Sequence, residues 1–434
     1  MRLDSTLQAL LNGTFADPDG GPPLNVPTRA VAVEDSLDGQ EAEWVKKLDL
    51  GRRLAVVSDP ETRVAFGHRV ERALDSLGKV VPIVLPSHPH ADLPTAERIE
   101  GECQQVDALV AVGSGTINDL CKFVAARLKK PYVVFGTAPS MNGYTSVNAA
   151  ITVEGLKKTL PAVGARGVFL DLGVLRAAPK RLIQAGLGDS ICRCTAQADW
   201  LLAHLLLGTE YRTAPFVLLA QDEDILLSQA GALVAGDLEA LRHLARTLIL
   251  SGFGMTICNG SYPASQGEHL ISHTLEMLGS PDWPETFHGE QIGVTTLTMV
   301  ALQSRLLTQD KLQVRPSIAT RADLEAYFGK QLGEMCWREL SPKRLDAAAA
   351  EAMTDRLGSE WNDIRQQVAG VLRPRHALER ALRDAGCPTT PEALHWPRPA
   401  YLDAVRHARE IRNRYTFLDL AADTGALEDS SFIT

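Results

Sequence analysis

The stretch Ala108-Leu-Val-Ala-Val-Gly-Ser-Gly-Thr116 decides the fold of this 434-residue chain. Its first five residues, 108–112, are apolar and predict a strand buried on both faces, which Gly113 ends. A helix is predicted from Thr116 to about residue 128. A strand that passes through a glycine-containing turn into a helix is typical of an α/β domain, where ligands bind at the carboxyl ends of the strands.

The same alternation of short apolar strands and helices surrounds this stretch. Further strands are predicted at 53–58, 80–85 and 132–135, and helices at 39–49, after Asp59-Pro60 to about 77, and at 95–105. Continuously apolar strands that alternate with helices predict a parallel sheet covered on both faces. Two more extended segments are predicted at 151–160 and 167–172.

The pattern of apolar residues changes at Pro179. From there onward the apolar residues recur mostly with the helical period of about 3.6. We therefore predict an α/β nucleotide-binding domain over 1–178, with 1–38 as a Gly-, Pro- and Asp-rich loop or extended lead-in, and an all-α metal- and substrate-binding domain over 179–434. The last stretch, 415–434, is expected to end as a loose tail.

Composition excludes several classes of partner. Apolar residues make up 45% of the chain and the formal net charge is −9. That charge disfavours nucleic acids and anionic membranes as partners, because both bind most strongly to a basic surface. The N-terminus lacks the apolar segment of a signal peptide, and we expect a cytoplasmic protein. Seven cysteines, an odd number, indicate reduced thiols, and Cys192 and Cys194 are interpreted as buried and inert, with metal binding as the alternative.

The glycine-containing turn is a candidate phosphate site. Glycines let the main chain approach a pyrophosphate, and a helix N-terminus supplies N–H groups and positive potential. The turn lacks the pattern Gly-x-Gly-x-x-Gly and is not followed by Gly-Lys-Ser/Thr, so a tight strand-to-helix connection is the alternative interpretation. Asp119, one turn into the helix, is either a cofactor contact or a partner of the helix dipole. The candidate residues are Gly113, Ser114, Gly115, Thr116 and Asp119.

A second polar segment follows the next predicted strand. Thr137-Ala-Pro-Ser-Met-Asn-Gly-Tyr-Thr-Ser146 is rich in small and hydroxylated residues. Because the carboxyl ends of parallel strands share one edge, this segment is expected near the glycine-containing turn. It suits a loop that donates hydrogen bonds to a cofactor or substrate, and a polar connecting loop is the alternative.

Histidines and one carboxylate form a candidate metal site in the helical half. His269 and His273 are four residues apart and lie on one face of a predicted helix. His288 begins a new segment, and Asp189 lies upstream in Gly-Leu-Gly-Asp. Imidazoles with one carboxylate make a divalent-metal site with room for substrate. The alternatives are an N-cap role for Asp189, a hydrogen-bonded pair for the two helical histidines, and a helix-capping role for His288.

Together these segments resemble the glycerol-1-phosphate dehydrogenase branch of the metal-dependent alcohol dehydrogenase and dehydroquinate synthase superfamily. The resemblance covers about 53–300 well and the helical remainder more loosely. It implies a dehydroquinate synthase-like fold, with an N-terminal nucleotide-binding α/β domain, a C-terminal helical domain and an active site in the cleft between them. The motifs are Gly-Ser-Gly-Thr-Ile-x-Asp, Thr-Ala-Pro-Ser-x-x-Gly-x-Thr-Ser, Gly-x-Gly-Asp, Glu-His-x-x-Ser-His and His-Gly-Glu.

The resemblance also implies roles for single residues. Asp189, His269 and His288 match the metal ligands, while His273 matches a histidine that contacts substrate. The family's nicotinamide-cofactor contacts match six residues, and Lys158 matches weakly a contact to the cofactor ribose or a substrate phosphate. Those six are Gly115, Thr116, Asp119, Thr137, Ser140 and Ser146.

One substitution departs from the family pattern. Where the family usually has a substrate-contacting Asp, this chain has Asn142, which keeps the shape and a carbonyl acceptor but loses the charge and any base function. The resemblance implies hydride transfer between NAD or NADP and C2 of sn-glycerol 1-phosphate or dihydroxyacetone phosphate. A divalent ion acts as the Lewis acid, and His273, or a water that it holds, relays the alcohol proton.

Several choices stay open at this point. Zinc is the default metal for two histidines and one aspartate, with nickel or iron as alternatives. Asp59, just after the first predicted strand, suits an adenosine ribose and favours NAD over NADP. A sugar-phosphate cyclase is an alternative, disfavoured because 260–290 contains no Lys or Arg, and Asn142 motivates a catalytically silent relative. The expected partner is a small phosphorylated polyol, and the resemblance implies self-association as a homo-oligomer.

Overall fold

Six parallel strands form the main sheet within the residues that the computed structural model describes, 4–153, 156–280 and 283–433. The spatial order is β1-β8-β5-β4-β2-β3, and β6 pairs with β7 as a separate antiparallel hairpin. The strands are β1 (Ala30–Glu34), β2 (Arg53–Ser58), β3 (Lys79–Val84), β4 (Ala108–Gly113), β5 (Tyr132–Gly136), β6 (Asn148–Val153), β7 (Leu156–Pro161) and β8 (Gly167–Asp171).

The sheet confirms the predicted fold class. All four apolar segments expected as strands pair in parallel, and the extended segment at 167–172 becomes β8 between β1 and β5. β4 is buried along its whole length, as expected of a strand covered on both faces.

Two parts of the prediction were wrong. The lead-in was expected as loop or extended chain, yet it contains a helix at Ser5–Leu11, and its extended segment Ala30–Glu34 joins the main sheet as the edge strand β1, paired in register with Gly167–Asp171. The segment 151–160 does not join the main sheet. It contributes to the hairpin of β6 and β7, where Ile151 lies opposite Lys158, and residues 154–155 lie outside the described residues.

Helices make up most of the remaining chain. A π-helical turn, Arg63–Gly67, joins α3 to α4, and five short 3₁₀ segments lie at Ser341–Lys343, Pro391–Leu394, Ala408–Ile411, Ala426–Glu428 and Ser430–Phe432. In chain order the α-helices are α1 (Ser5–Leu11), α2 (Glu41–Lys46), α3 (Pro60–Thr62), α4 (His68–Leu74), α5 (Leu93–Glu102), α6 (Gly115–Leu128), α7 (Leu172–Ala177), α8 (Lys180–Ile191), α9 (Arg193–Leu207), α10 (Ala214–Leu219), α11 (Asp222–Ser228), α12 (Ala230–Val234), α13 (Leu238–Ile257), α14 (Gly267–Leu278), α15 (His288–Leu307), α16 (Arg321–Phe328), α17 (Lys330–Leu340), α18 (Ala347–Ala369), α19 (Arg375–Asp384), α20 (Arg398–His407) and α21 (Phe417–Asp423).

The chain forms two compact units that alternate along the sequence. The first unit comprises Met1–Ser190, Arg212–Ser261 and Asp384–Gly386, and the second comprises Ile191–Tyr211, Tyr262–Arg383 and Cys387–Thr434. The first unit therefore includes α8 and α10–α13, which the division at 178/179 assigned to the helical domain.

Ion pairs fasten the lead-in to the helices of the first unit. The guanidinium of Arg212 donates to Asp17 and Asp19, and that of Arg246 donates to Asp4. A third arginine, Arg242, donates to the main-chain oxygen of Val33 at 2.8 Å. These contacts give the lead-in a fixed path although few of its residues are in regular structure.

The core of the second unit encloses the end of the chain. Phe417, Leu418 and Leu420 of α21 are fully buried among side chains of α9, α14, α15 and α18. Lys343 donates to Asp419 at 2.9 Å and Arg409 donates to the same carboxylate at 3.2 Å. The expectation of a loose tail at 415–434 was therefore wrong, because the apolar residues of this stretch pack into the core of the second unit.

Within the described residues, no helix is long and apolar enough to span a membrane. The structure describes all seven cysteines, no disulfide joins any two of them, and both members of the Cys192/Cys194 pair are buried.

Candidate functional site

The glycine-containing turn joins β4 to α6 at the carboxyl edge of the sheet. Gly113 is the last residue of β4 and pairs with Gly136, the last residue of β5, so the two polar segments leave the sheet side by side. A Cβ on Gly113 would lie 2.6 Å from the Ile117 side chain, so this position requires glycine. Ser114 precedes α6 and makes no side-chain capping bond. The first N–H groups of a helix lack acceptors within it, so the turn suits an anion.

Two of the predicted cofactor contacts, Asp119 and Ser146, form hydrogen bonds within the protein. Asp119 accepts the N–H of Ala150 at 3.0 Å and lies 3.4 Å from the ammonium of Lys122. The Ser146 hydroxyl accepts from the same ammonium at 3.0 Å and lies 3.1 Å from the Gly143 carbonyl oxygen. Asp119 and Ser146 therefore hold the surrounding loop, and their predicted contact with the cofactor stays a prediction.

The loop of residues 137–148, called here the 137–148 loop, is fixed from several sides within the first unit. Inside it, the Tyr144 hydroxyl donates to the Ala138 carbonyl at 2.6 Å. Thr145 donates through its hydroxyl to the Ile249 carbonyl of α13 at 2.6 Å, and its own carbonyl accepts from Thr256 at 2.9 Å. The loop is thus a rigid platform. Thr137 and Ser140, both predicted cofactor contacts, are buried in it.

Two glycines permit helices to pack directly on this loop. A Cβ on Gly186 of α8 would lie 1.7 Å from the Pro139 carbonyl oxygen, and one on Gly252 of α13 would lie 2.2 Å from the Thr145 hydroxyl. Both positions lack space for any side chain, so the main chains of loop and helices are in contact.

Asn142 and Asp189 are in direct contact. The main-chain N–H of Asn142 donates to Oδ2 of Asp189 at 2.8 Å, and the Asp189 side chain is buried. Asp189 lies inside α8, so its predicted alternative as an N-cap was wrong. The loop that carries the Asp-to-Asn departure therefore also orients a predicted metal ligand.

Asp59 and Lys158 take other positions. Asp59 caps α3, because its carboxylate accepts the Thr62 N–H at 2.7 Å while its own N–H is bonded to the Thr62 hydroxyl at 3.0 Å. A capping box explains this residue without a ribose. Lys158 is half-buried in β7 of the hairpin, and a contact with cofactor or substrate stays a prediction.

Three histidines meet in the second unit. The ring centroids of His269 and His288 are 5.0 Å apart, and each lies 5.8 Å from that of His273. Helical spacing places His269 and His273 on one face of α14, and His288 is the first residue of α15, which packs against α14. The structure thus brings together all three histidines that the sequence singled out.

A carboxylate orients the most buried of these histidines. Nδ1 of His269 lies 3.0 Å from Oε1 of Glu268, which also accepts the Gln266 N–H at 2.8 Å. The Thr195 hydroxyl of α9 donates to the other Glu268 oxygen at 3.2 Å. Metal-binding histidines characteristically donate one ring N–H to a carboxylate, which leaves the second nitrogen for the metal. The donor set of this unit therefore fits a divalent metal through Nε2 of His269 and a nitrogen of His288.

Glu268 lies beside a second buried carboxyl group. Burial, and then the charge of Glu268, raise the pKa of Asp199 to about 8, although the N–H groups of Phe417 and Gly267 oppose the shift. Cys192 also lies near His269 and Glu268, with one ligand atom from each residue within 4.8 Å of the others. Since Nδ1 of His269 is already occupied by Glu268, this trio is better explained as support for His269 than as a second metal site.

Sequence reasoning missed several of these residues. Lys122 carried a signal, because a lysine three residues after Asp119 on a buried helix needs a partner. Glu268 also carried one, as the carboxylate next to a predicted metal ligand. Gly186 and Gly252 carried none, since the need for glycine there depends on what packs against each helix.

Comparisons with known proteins identify relatives of this chain. A family model for iron-containing alcohol dehydrogenases matches residues 32–179. The glycerol-1-phosphate dehydrogenase [NAD(P)+] of Geobacillus stearothermophilus is 30% identical over 89% of this chain and 92% of its own length. The enzyme of the same name from Bacillus licheniformis is 27% identical over 93% and 91%, and that from Pyrococcus furiosus 33% over 63% and 78%.

Solved structures support the fold alone. A probable glycerol dehydrogenase from Sinorhizobium meliloti superimposes with a TM-score of 0.60 at 19% identity, covering 92% of this chain and 97% of that one. Glycerol dehydrogenase from Schizosaccharomyces pombe gives a TM-score of 0.59 at 17% identity, covering 90% and 86%. The 30% identity to the Geobacillus stearothermophilus enzyme over most of both chains shows that this chain belongs to the glycerol-1-phosphate dehydrogenase family and is an oxidoreductase.

Proposed function

We propose that this protein interconverts sn-glycerol 1-phosphate and dihydroxyacetone phosphate with NAD or NADP. The observation that carries the proposal is the cluster of His269, His273 and His288, in which Glu268 orients a histidine within 3.0 Å. The names of the sequence relatives supply the substrate and the cofactor for the proposal.

In this proposal Asp189, His269 and His288 hold one divalent metal, most simply zinc, with nickel or iron as alternatives. When bound, the ion supplies a Lewis acid that stabilises negative charge on the substrate's C2 oxygen. Hydrogen bonds within the protein orient two of the metal ligands before the metal binds. Glu268 fixes the ring of His269, and the N–H of Asn142 fixes the carboxylate of Asp189.

The β4–α6 turn is the proposed pyrophosphate site. Gly113, Ser114, Gly115 and Thr116 place main-chain N–H groups and the positive end of α6 at the carboxyl edge of the sheet. Thr137 and Ser140 border the same edge, next to the end of β5. When bound, the nicotinamide cofactor supplies the hydride chemistry, and the protein supplies its position.

His273 is the proposed proton relay. Its half-buried ring lies beside His269 and His288 yet is not needed as a ligand, so a ring nitrogen can take the proton of the C2 hydroxyl, directly or through a water. Asn142 is the proposed substrate contact. Its amide offers both a donor and an acceptor, whereas the carboxylate usual in the family only accepts.

The decisive experiment measures NAD(P)H oxidation by protein reconstituted with Zn²⁺, Ni²⁺ or Fe²⁺. Wild type, Asn142→Asp and His269→Ala are each assayed with dihydroxyacetone phosphate and with unphosphorylated dihydroxyacetone. We expect metal-dependent turnover of the phosphate in wild type and loss of turnover in His269→Ala. Activity in Asn142→Asp alone would mean that Asn142 has retuned the site to another substrate or silenced it.

The two alternatives give different results in the same assay. A sugar-phosphate cyclase would release phosphate without net change in NADH, and a silent relative would neither bind metal nor turn over. Metal content of the purified protein, measured by mass spectrometry, separates the silent relative from an enzyme with a different substrate.

A further inference from the structure

Lys122 is a fully buried lysine that the proposed chemistry does not use. Its side chain is 0% exposed, in the middle of α6. Burial disfavours the ammonium and lowers the pKa of Lys122, while the nearby carboxylate of Asp119 opposes that shift. A buried charge is costly unless hydrogen bonds satisfy it. Its retention in this core therefore requires an explanation from its contacts.

The ammonium donates three hydrogen bonds to the 137–148 loop. Nζ donates to the carbonyl oxygens of Gly143 at 2.6 Å and Asn148 at 2.9 Å, and to the hydroxyl of Ser146 at 3.0 Å. These three contacts match the three donors of an ammonium, so its hydrogen-bonding capacity is filled. The carboxylate of Asp119, 3.4 Å away, supplies the compensating charge.

The segment that Lys122 holds is also hydrogen-bonded to Asp189, a predicted metal ligand. Gly143 follows Asn142, whose main-chain N–H donates to Asp189 at 2.8 Å. The Gly143 carbonyl accepts the shortest of the lysine's three bonds. That carbonyl belongs to the peptide unit between Gly143 and Tyr144, two units beyond the one that carries the Asn142 N–H. Fixing it therefore leaves only the backbone dihedrals of Asn142 and Gly143 free between the held carbonyl and that N–H, which restricts where the N–H can point.

We propose that Lys122 is a positioning residue that sets the 137–148 loop so that the main chain of Asn142 holds the carboxylate of Asp189. It acts through the loop and contacts neither cofactor nor substrate. The inference rests on the proposed function for its link to metal binding, but the effect on the loop exists in the metal-free protein.

The test compares two lysines that are both buried and both hydrogen-bonded to main-chain carbonyl groups. Lys122→Met keeps the length of the apolar stem and removes the ammonium. Lys343→Met does the same in the second unit, where Nζ donates to the carbonyls of Arg409 at 2.6 Å and Arg414 at 2.9 Å. Both variants lose buried hydrogen bonds, so a general loss of stability affects both. Lys122→Gln, which keeps an N–H donor without charge, serves as the milder variant if Lys122→Met does not fold.

Hydrogen exchange of the metal-free proteins is the first measurement. We expect Lys122→Met to lose protection at the amides of 142–148 by more than about tenfold, and Lys122→Gln to lose less. In Lys343→Met these amides keep wild-type protection. Equal protection in Lys122→Met and wild type, or equal loss in both lysine variants, would overturn the proposal.

Cobalt binding, followed by absorbance, is the second measurement. We expect a roughly tenfold weaker Co²⁺ affinity in Lys122→Met, the lower end of what outer-shell substitutions cost, and little change in Lys343→Met. If wild type bound no Co²⁺, the metal site of the proposed function would fail, while hydrogen exchange would still decide the role of Lys122. Unchanged Co²⁺ affinity in a Lys122→Met variant with a loosened loop would refute the link from the loop to Asp189.

Discussion

In the first unit, hydrogen bonds between hydroxyl groups and main-chain carbonyls, together with one buried lysine, hold the 137–148 loop in place. In the second unit, two helices carry three neighbouring histidines. The 137–148 loop derives its shape from Lys122, Thr145 and the close approach of α8 and α13. The histidine cluster derives its shape from the register of α14 and from the contact between α14 and α15.

This difference predicts how each region fails. A helix keeps its backbone when a side chain is removed, so substitutions in the histidine cluster should delete single functions and leave the fold intact. The loop has no regular structure of its own, so substitutions around it should move several groups at once. Substitutions at His269, Gly186, Glu268 and Asp171 test this contrast.

Removing a histidine should abolish turnover without unfolding the second unit. A metal Lewis acid contributes several kcal/mol, and about 1.4 kcal/mol corresponds to tenfold in rate. We therefore expect His269→Ala to lower turnover by about a thousandfold and to lose bound metal, with an unchanged circular dichroism spectrum. His376→Ala, an exposed histidine of α19 in the same unit, is the control and should keep both metal and activity. Global unfolding of His269→Ala would contradict the contrast.

Adding one methyl group beside the loop should destabilise the first unit. In Gly186→Ala the new Cβ would lie 1.7 Å from the Pro139 carbonyl oxygen, and main chain cannot move aside as a flexible side chain can. Overpacking typically costs up to about 3 kcal/mol, and we expect a loss near that limit in urea unfolding.

Gly101→Ala is the matched control for this substitution. Gly101 also lies in a helix of the first unit, α5, and a Cβ there would meet no atom within 4 Å. Alanine favours a helix over glycine by up to about 1 kcal/mol, so the control should be slightly stabilised. Similar free energies of unfolding in the two variants would mean that α8 does not pack on the loop as described.

Weakening the support of His269 should lower metal affinity without changing the fold. Substitution of an outer-shell partner costs about 10- to 100-fold in affinity. Glu268→Gln keeps an acceptor for Nδ1 of His269 but removes the charge, so we expect about tenfold, and Glu268→Ala should cost about 100-fold. Competition with a chelator measures both. The exposed Glu276, on the same helix, provides the control Glu276→Gln, which should bind metal as wild type does.

The smallest effect concerns how acid changes the stability of the first unit through Asp171, the last residue of β8. Burial would raise the pKa of Asp171, but the Leu37 N–H and the Arg69 guanidinium together lower it below its ordinary 3.8. The ionised carboxylate thus adds stability above pH 4 that is lost as pH falls through the lowered pKa. Relative to Asp171→Asn, wild type should be more stable at pH 6, by about 1 kcal/mol, and this advantage should shrink at pH 3. A constant difference in urea unfolding would refute this assignment.

Much of the first unit was predictable because strands that are buried on both faces leave a continuous apolar pattern. The strands around Ala108–Gly113 and Tyr132–Gly136 were predicted on that basis, together with the polar segments that follow them. β1 was missed as a strand of the sheet although Ala30-Val-Ala-Val33 is a short apolar run, because the Pro- and Gly-rich residues around it made the whole lead-in look irregular. The buried C-terminus was missed because the apolar residues of α21 show their partners only in the folded core.

The chemical groups of the candidate site follow from the sequence alone. Helical spacing placed His269 and His273 on one face, and strand ends placed the turn at 113–116 beside the segment at 137–146. The contacts that hold those groups depend on the folded structure. The bond from Asn142 to Asp189, the three bonds of Lys122 and the need for glycine at 186 arise between segments distant in the chain. Local propensity and periodicity carry no information about such pairs, because each depends on the packing of elements that form separately.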